Sequence, residues 1–261
     1  SSKLIYAFLV LLFVKTKSDF IYVNLYWGIG MTVSHFAVLI YLHQVYRFRF
    51  SKRTFAEGIQ YLKRNFKLFI SQVSTSLQLY FPLMLIGWFG SNLLAGQFKI
   101  VEQIIVIFRT YLLLFFNFLY PKICFKLQEG MKKTIRFWSI ANGANLAFLL
   151  FLMLLVFIFR VDIIRHFSDE NETHLIKLLV IALLIPLVQA IQIPLNQLVL
   201  ALEHTHYYVI ASVFQTILMT LLIIASLLSF DLFAVICSII ISETIISFAY
   251  LYILYDSRSK Y

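Results

Sequence analysis

Apolar residues run through this chain in long uninterrupted blocks, at 20–43, 66–89, 93–120, 137–159, 174–200, 207–230 and 232–255, with a shorter block at 4–14. A helix needs about 20 apolar residues to cross a bilayer, so seven blocks predict complete spans and the first is too short. None shows the two-residue alternation of barrel strands. Only helices and closed barrels satisfy backbone groups in hydrocarbon, so the pattern predicts an all-α, polytopic transmembrane bundle. The block at 4–14 follows Lys3 as a signal peptide would, but only Lys15-Thr16-Lys17-Ser18-Asp19 comes after it, with no small-residue cleavage site. It is therefore read as the end of a truncated helix.

Composition sharpens the class. With 61% hydrophobic and 13% charged residues the chain lacks the polar surface of a soluble domain. The formal net charge of +10 is read as loop orientation and contact with anionic lipid, not as nucleic-acid binding. Cys124 and Cys237 stand far apart without ligand spacing, so neither a disulfide nor a metal site is expected. No phosphate-binding glycine loop, nucleophile elbow or Cys/His pattern occurs, so no cofactor or catalytic group is expected and the chain is not read as an enzyme.

Loop charge sets the expected orientation. Arg47, Arg49, Lys52, Arg53, Lys63, Arg64 and Lys67 crowd the second connection, Lys122, Lys126, Lys132, Lys133 and Arg136 the fourth, and Arg258 and Lys260 the tail. The alternate connections carry fewer, namely Lys15 and Lys17, then none, then Arg160 and Arg165, then none. By the positive-inside rule the basic connections and the C-terminus are cytoplasmic. The segment 46–65 is basic and aromatic, a linker suited to anionic headgroups and a natural boundary between an N-terminal part, 1–45, and a C-terminal part, 66–261. The fifth connection is acidic through Asp169, Glu170 and Glu172, which fit a solvated loop and a helix start better than a metal site.

Three polar clusters lie inside the spans. A mid-membrane charge costs roughly 2.5–3.5 kcal/mol on insertion scales, so it persists only beside a partner or a wet cavity. In the block 93–120, Lys99, Glu102 and Arg109 share one helix face at 100° per residue. Lys99 can snorkel or pair with Glu102 at i,i+3. Arg109 lies roughly 20 Å along the helix from the outer loop and needs a partner from another helix, water or a substrate. Glu243, flanked by Ser242 and Thr244, falls at comparable depth, which predicts an Arg109–Glu243 pair. In the block 174–200, Gln189, Gln192 and Asn196 fall within about 60° of one another, near Gln197 and next to the helix breakers Pro186 and Pro194, which should bend the helix. That amide stripe suits either a sugar or ion path or hydrogen bonds to neighbouring helices. In the block 66–89, Ser71, Gln72, Ser74, Thr75, Ser76 and Gln78 fit helix packing or a hydrated cleft. His35, with Thr32 and Ser34, is read as a packed, hydrogen-bonded histidine rather than a proton carrier.

The run 66–123 resembles the middle of Wzx-type polysaccharide flippases, in the multidrug/oligosaccharidyl-lipid/polysaccharide exporter superfamily. The resemblance rests on a serine-rich helix start, the Gly90-Ser91 turn, the helix entry Ala95-Gly96-Gln97-Phe98-Lys99, the acidic Glu102 a turn later, and Tyr120-Pro121 ending the span before a basic loop. Lys15 to Phe20, leading into a helix with Gly28 and Gly30, is similar as well. The resemblance implies about twelve spans in two lobes. On that pattern 4–14 and 20–43 are the last helices of the first lobe, 46–65 is the interlobe linker, and 66–261 is a complete six-helix second lobe. The rest of the N-terminal lobe is then missing, and the fragment alone should be inactive.

The same resemblance implies movement of an undecaprenyl-diphosphate-linked oligosaccharide across the bacterial inner membrane by alternating access. Arg109 and Lys99, with Gln189, Gln192, Asn196 and Gln78, are the candidates for binding substrate. Glu102 and Glu243 are candidates for coupling to H⁺ or Na⁺. A drug or metabolite antiporter of the same superfamily is the alternative. A glycan polymerase or glycosyltransferase should carry a large outer loop with catalytic carboxylates, which this chain lacks, and a purely structural scaffold has no need of Arg109 at mid-depth.

Overall fold

A computed structural model describes residues 2–47, 55–167, 172–228 and 231–258. Arg49, Lys52, Arg53, Asp169, Glu170 and Lys260, which entered the loop arguments, lie outside the described residues. Among the described residues the structure is helical, without a strand. Among the described residues seven helical segments are long and apolar enough to cross a membrane, Thr173–Ala201 counting as one. The protein is thus an all-α helical bundle of the multi-pass membrane type. It divides into two compact units, Ser1–Tyr61 and Leu62–Tyr261.

In the first unit, α1 (Ser2–Phe13) folds back onto α2 (Val23–Tyr46) through a 3-10 turn, Lys17–Tyr22. Asp19 holds that reversal, its carboxylate accepting from the backbone N–H groups of Thr16 at 2.8 Å and Lys15 at 3.0 Å. Gly30 lets the helices approach closely: a Cβ there would stand 3.0 Å from Ser2 O and 3.2 Å from Tyr6 N. Beside it the Tyr6 and Trp27 rings meet edge to face at 5.1 Å. His35 is hydrogen-bonded as expected, its Nδ1 donating to Met31 O, but it is exposed rather than packed. Its bond stays within its own helix, as do those of Thr32 to Gly28 O and Ser34 to Gly30 O, a local way to satisfy polar side chains in an apolar setting.

The second unit holds most of α3 (Phe55–Phe89), then α4 (Asn92–Gln128), α5 (Met131–Ile158), α6 (Arg160–Phe167), α7 (Glu172–Ala182), α8 (Leu184–Ala201), α9 (Thr205–Leu227) and α10 (Leu232–Arg258). The helix α8 occupies the middle, packed against α4, α5, α9 and α10. Along α4, Phe108, Leu112 and Phe116 are buried while Ile107, Leu114 and Phe118 are exposed, so the helix is apolar on both sides. A helix apolar all round belongs in a core or in lipid, and exposed apolar side chains on every long helix fit the second setting.

Helix boundaries depart from the sequence reading in four places. The first is α3, which begins at Phe55, so the second half of the basic linker is a helical extension of the span. Next, α4 does not end at Tyr120-Pro121 but continues to Gln128. A proline removes one backbone bond, here to the carbonyl four residues earlier, and the flanking turns carry the helix through. Gly130, at φ 116°, makes the turn into α5, a conformation that excludes most side chains. The fifth connection contains the short helix α6. Lastly, the helical bonding of the span 174–200 lapses at Leu183, between α7 and α8, although the backbone there keeps helical angles (φ -60°, ψ -20°). Pro186 lacks the N–H that Ala182 O would accept, which accounts for the lapse one turn before it.

Candidate functional site

Ser91 starts α4 by accepting from Leu94 N at 3.2 Å, which fixes the register of every side chain that follows. Lys99, Glu102 and Arg109 then emerge on one face, as the 100° period requires. Lys99 Nζ pairs with Glu102 Oε2 at 2.8 Å, and the lysine side chain is 47% exposed against 12% for the glutamate. The i,i+3 pairing is therefore the one realised. Glu102 and Arg109 turn inward to line a cavity of about 30 Å³, closed by Gln78 of α3 and by apolar side chains including Phe98, Ile105 and Ile239. That is room for a water molecule or two, far below a ligand pocket of about 300–1,000 Å³.

Below this cavity three helices meet through one amide. Arg109 Nε on α4 donates to Gln189 Oε1 on α8 at 3.4 Å, and Gln189 Nε2 donates to Glu243 Oε1 on α10 at 2.6 Å. The expected Arg109–Glu243 ion pair is thus corrected: no ion pair within 4.0 Å joins them among the described residues, and Gln189 stands between. An amide can do this because it presents an acceptor to the guanidinium and a donor to the carboxylate. Gln189 and Glu243 are each 6% exposed, and Glu243 Oε2 has no hydrogen-bond partner. The break at Leu183 lies just ahead of this contact on α8.

The rest of the amide stripe goes elsewhere. Gln192 Nε2 donates to Gln215 Oε1 of α9 at 2.9 Å, and Asn196 keeps a buried Oδ1 without a partner, as does Gln197 at Oε1. Gln78 faces the cavity and also donates to Thr216 Oγ1 at 2.9 Å and Ser212 O at 3.1 Å. Ser71 and Ser74 are buried, and their carbonyls accept from Ser212 and Thr216 on α9. In the serine-rich start of the span, Ser71 and Ser74 thus pack against α9, while Gln72, Thr75 and Ser76 are exposed. Of the sequence candidates, the structure gathers Arg109, Gln189 and Glu243 in one chain of bonds, with Glu102 and Gln78 around the adjoining cavity. Lys99 is about half exposed and reaches the group only through Glu102, and Gln192 and Asn196 stand outside it.

Sequence reasoning passed over Ser212, Gln215 and Thr216, although polar residues at i, i+3 and i+4 in an otherwise apolar span were a readable signal. It also passed over Asn142 and Asn145 on α5. Tyr111 of α4 donates its hydroxyl to Asn145 Oδ1 at 2.7 Å, while Asn145 Nδ2 and both amide atoms of Asn142 are buried without partners.

Among the described residues no group of three or more His, Cys, Asp or Glu is placed to hold a metal ion. The site can instead hold a guanidinium and a carboxylate in mutual balance inside apolar surroundings, next to a small polar-floored cavity. Comparison with known protein families, with curated proteins and with solved structures finds no match to this chain.

Proposed function

We propose that the protein is a transporter that flips an undecaprenyl-diphosphate-linked oligosaccharide across the bacterial inner membrane, with its C-terminus in the cytoplasm and a further helical lobe as its partner. The observation that supports this reading is the bridged Arg109–Gln189–Glu243 group, midway along membrane-length helices and beside a cavity that Arg109 also lines. A guanidinium at that depth is costly without a partner or a wet cavity, and it is the side chain best shaped for a diphosphate. In this scheme Arg109 receives the diphosphate, aided by Lys99 at the rim. Gln78, Gln189, Gln192 and Asn196 supply amides for sugar hydroxyls as the helices part, while Glu102 and Glu243 couple the cycle to an ion. A cavity of about 30 Å³ is too small for such a substrate, so in this scheme loading requires the helices around it to part.

The apolar walls of the cavity favour a second reading, a drug or metabolite antiporter taking a small amphipathic substrate. Arg109→Gln separates the two. Accumulation of lipid-linked oligosaccharide on the inner leaflet with drug tolerance unchanged supports the flippase. Normal glycan export with lost drug tolerance overturns it in favour of the antiporter.

A further inference from the structure

We infer that Asn142 and Asn145 of α5 hold a buried water molecule at the junction of α4, α5 and α8, bound also to the α8 carbonyl that Pro194 leaves without its helical donor. The inference goes beyond the transport reading and does not rest on it.

The α5 side of the site is a pair of amides one turn apart, and residues three apart on a helix are neighbours. Asn145 is 3% exposed; its Oδ1 accepts from Tyr111 of α4, and its Nδ2 is buried without a partner. Asn142 is half-buried, but its Nδ2 and Oδ1 are both buried and both unpartnered. Asn145 lies eight residues into the apolar block that starts at Phe137, about 12 Å along the helix. Hydrocarbon offers nothing to hydrogen-bond at that depth, so these groups are costly unless a partner sits inside the bundle.

The α8 side follows from a proline. Trp138 Nε1 of α5 donates to Pro194 O of α8 at 3.4 Å, which fixes the level at which the two helices meet. Met131–Ile158 and Thr173–Ala201 are consecutive spans, so they cross a membrane in opposite directions. One turn along α5 from Trp138 comes Asn142, and one turn back along α8 from Pro194 comes Ala190. Asn142 and Ala190 are therefore level. Pro194 has no N–H for Ala190 O, so α8 brings a carbonyl in need of a donor to the height of the unpartnered amide. The facing side chain is a buried alanine, which leaves room that a larger residue would fill.

The mixture of groups selects the occupant. Two NH₂ groups turn away a cation, and the Asn142 and Ala190 carbonyls turn away an anion. A water molecule accepts from the first and donates to the second, and a buried water makes about three such bonds. The contact of α8 with α5 is thus completed by water, whereas α9 and α10 are joined to α8 by direct side-chain bonds, Gln192 to Gln215 and Gln189 to Glu243.

The test uses the purified full chain in lipid nanodiscs, equilibrated in heavy-oxygen water and exposed to a short X-ray pulse, which splits bound water and adds its oxygen to side chains beside it. Heavy oxygen should appear on Tyr111 or Leu149, which flank Asn145 on α4 and α5. That label should be lost when Asn142→Leu and Asn145→Leu are combined, while labelling of Met131 at the start of α5 stays unchanged. Reversible unfolding in mixed micelles gives a second readout, because a bridged amide and an unpaired one respond oppositely to replacement by an apolar residue. Asn142→Leu should lower the folded-to-unfolded ratio about tenfold if water bridges the amide, and raise it if the amide is unpaired. Absence of label at both Tyr111 and Leu149 in the native chain, label that persists in the double variant, or a raised ratio for Asn142→Leu overturns the inference. If neither variant folds, the label on the native chain decides.

Discussion

Gln78 on α3 donates a 2.9 Å hydrogen bond to Thr216 Oγ1 on α9, and its second hydrogen reaches Ser212 O of the same helix. These bonds, with those from Ser212 and Thr216 to the carbonyls of Ser71 and Ser74, fasten the wall of the cavity that α3 provides. Interhelical hydrogen bonds in membranes contribute about 0.6 kcal/mol on average and at most about 1.7 kcal/mol. Gln78→Leu should therefore destabilise the protein by about 1 kcal/mol in a reversible unfolding assay in mixed micelles. A double-mutant cycle with Thr216→Val should return a coupling of similar size, because Thr216 keeps its own bond to Ser212 O when Gln78 is replaced.

Gly30 is where α1 and α2 touch backbone to backbone. A leucine there must displace Ser2 and Tyr6 main-chain atoms that already stand 3.0–3.2 Å from the position of a Cβ, and main chain yields less readily than a side chain. Gly30→Leu should cost about 1–3 kcal/mol as overpacking. It should also part the Tyr6 and Trp27 rings, read as loss of cross-linking between cysteines placed at 6 and 27.

The helical bundle and the shared face of Lys99, Glu102 and Arg109 were legible in the sequence because both follow from periodicity alone. The missing hydrogen bond ahead of α8 was legible too, since a proline's lack of an N–H acts at a fixed distance along the chain, although the boundary it draws between α7 and α8 was not. The Arg109–Glu243 relationship was legible only as a match of depth. That Gln189 lies between them depends on α8 sitting between α4 and α10, which is tertiary packing that no local pattern encodes. The helical extension of α3 from Phe55 was hidden for another reason: basic residues such as Lys63, Arg64 and Lys67 suit a helix emerging from a membrane as well as they suit a loop. Pro121 misled because a proline that ends a helix in water costs less inside a long apolar one, where unfolding the next turn would expose backbone to lipid.

Asp19 should make the α1–α2 reversal sensitive to acid. Hydrogen bonds from the backbone N–H groups of Thr16 and then Lys15 hold its carboxyl below the usual carboxylate value. A group whose folded value is depressed contributes its stability above the unfolded value, and that contribution fades as pH falls through the folded one. Amide exchange at Lys15 and Thr16 should therefore accelerate as pH drops below about 4, relative to neighbouring amides corrected for intrinsic rates. Asp19→Asn should remove the pH dependence. Protection at these amides that persists unchanged in acid would count against the carboxylate as the clamp.

Pro186 interrupts the helical bonding of the segment that carries Gln189. Residue 186 cannot donate to Ala182 O, and the hydrogen-bond pattern lapses at Leu183 while the backbone there stays helical. Pro186→Ala restores the donor and removes about 3 kcal/mol of local helix cost, so α7 and α8 should join into one uninterrupted helix and the protein should become no less stable to denaturant. The new backbone amide at position 186 should then exchange slowly. Fast exchange at that amide in a folded variant would show that something other than the missing donor sets the interruption.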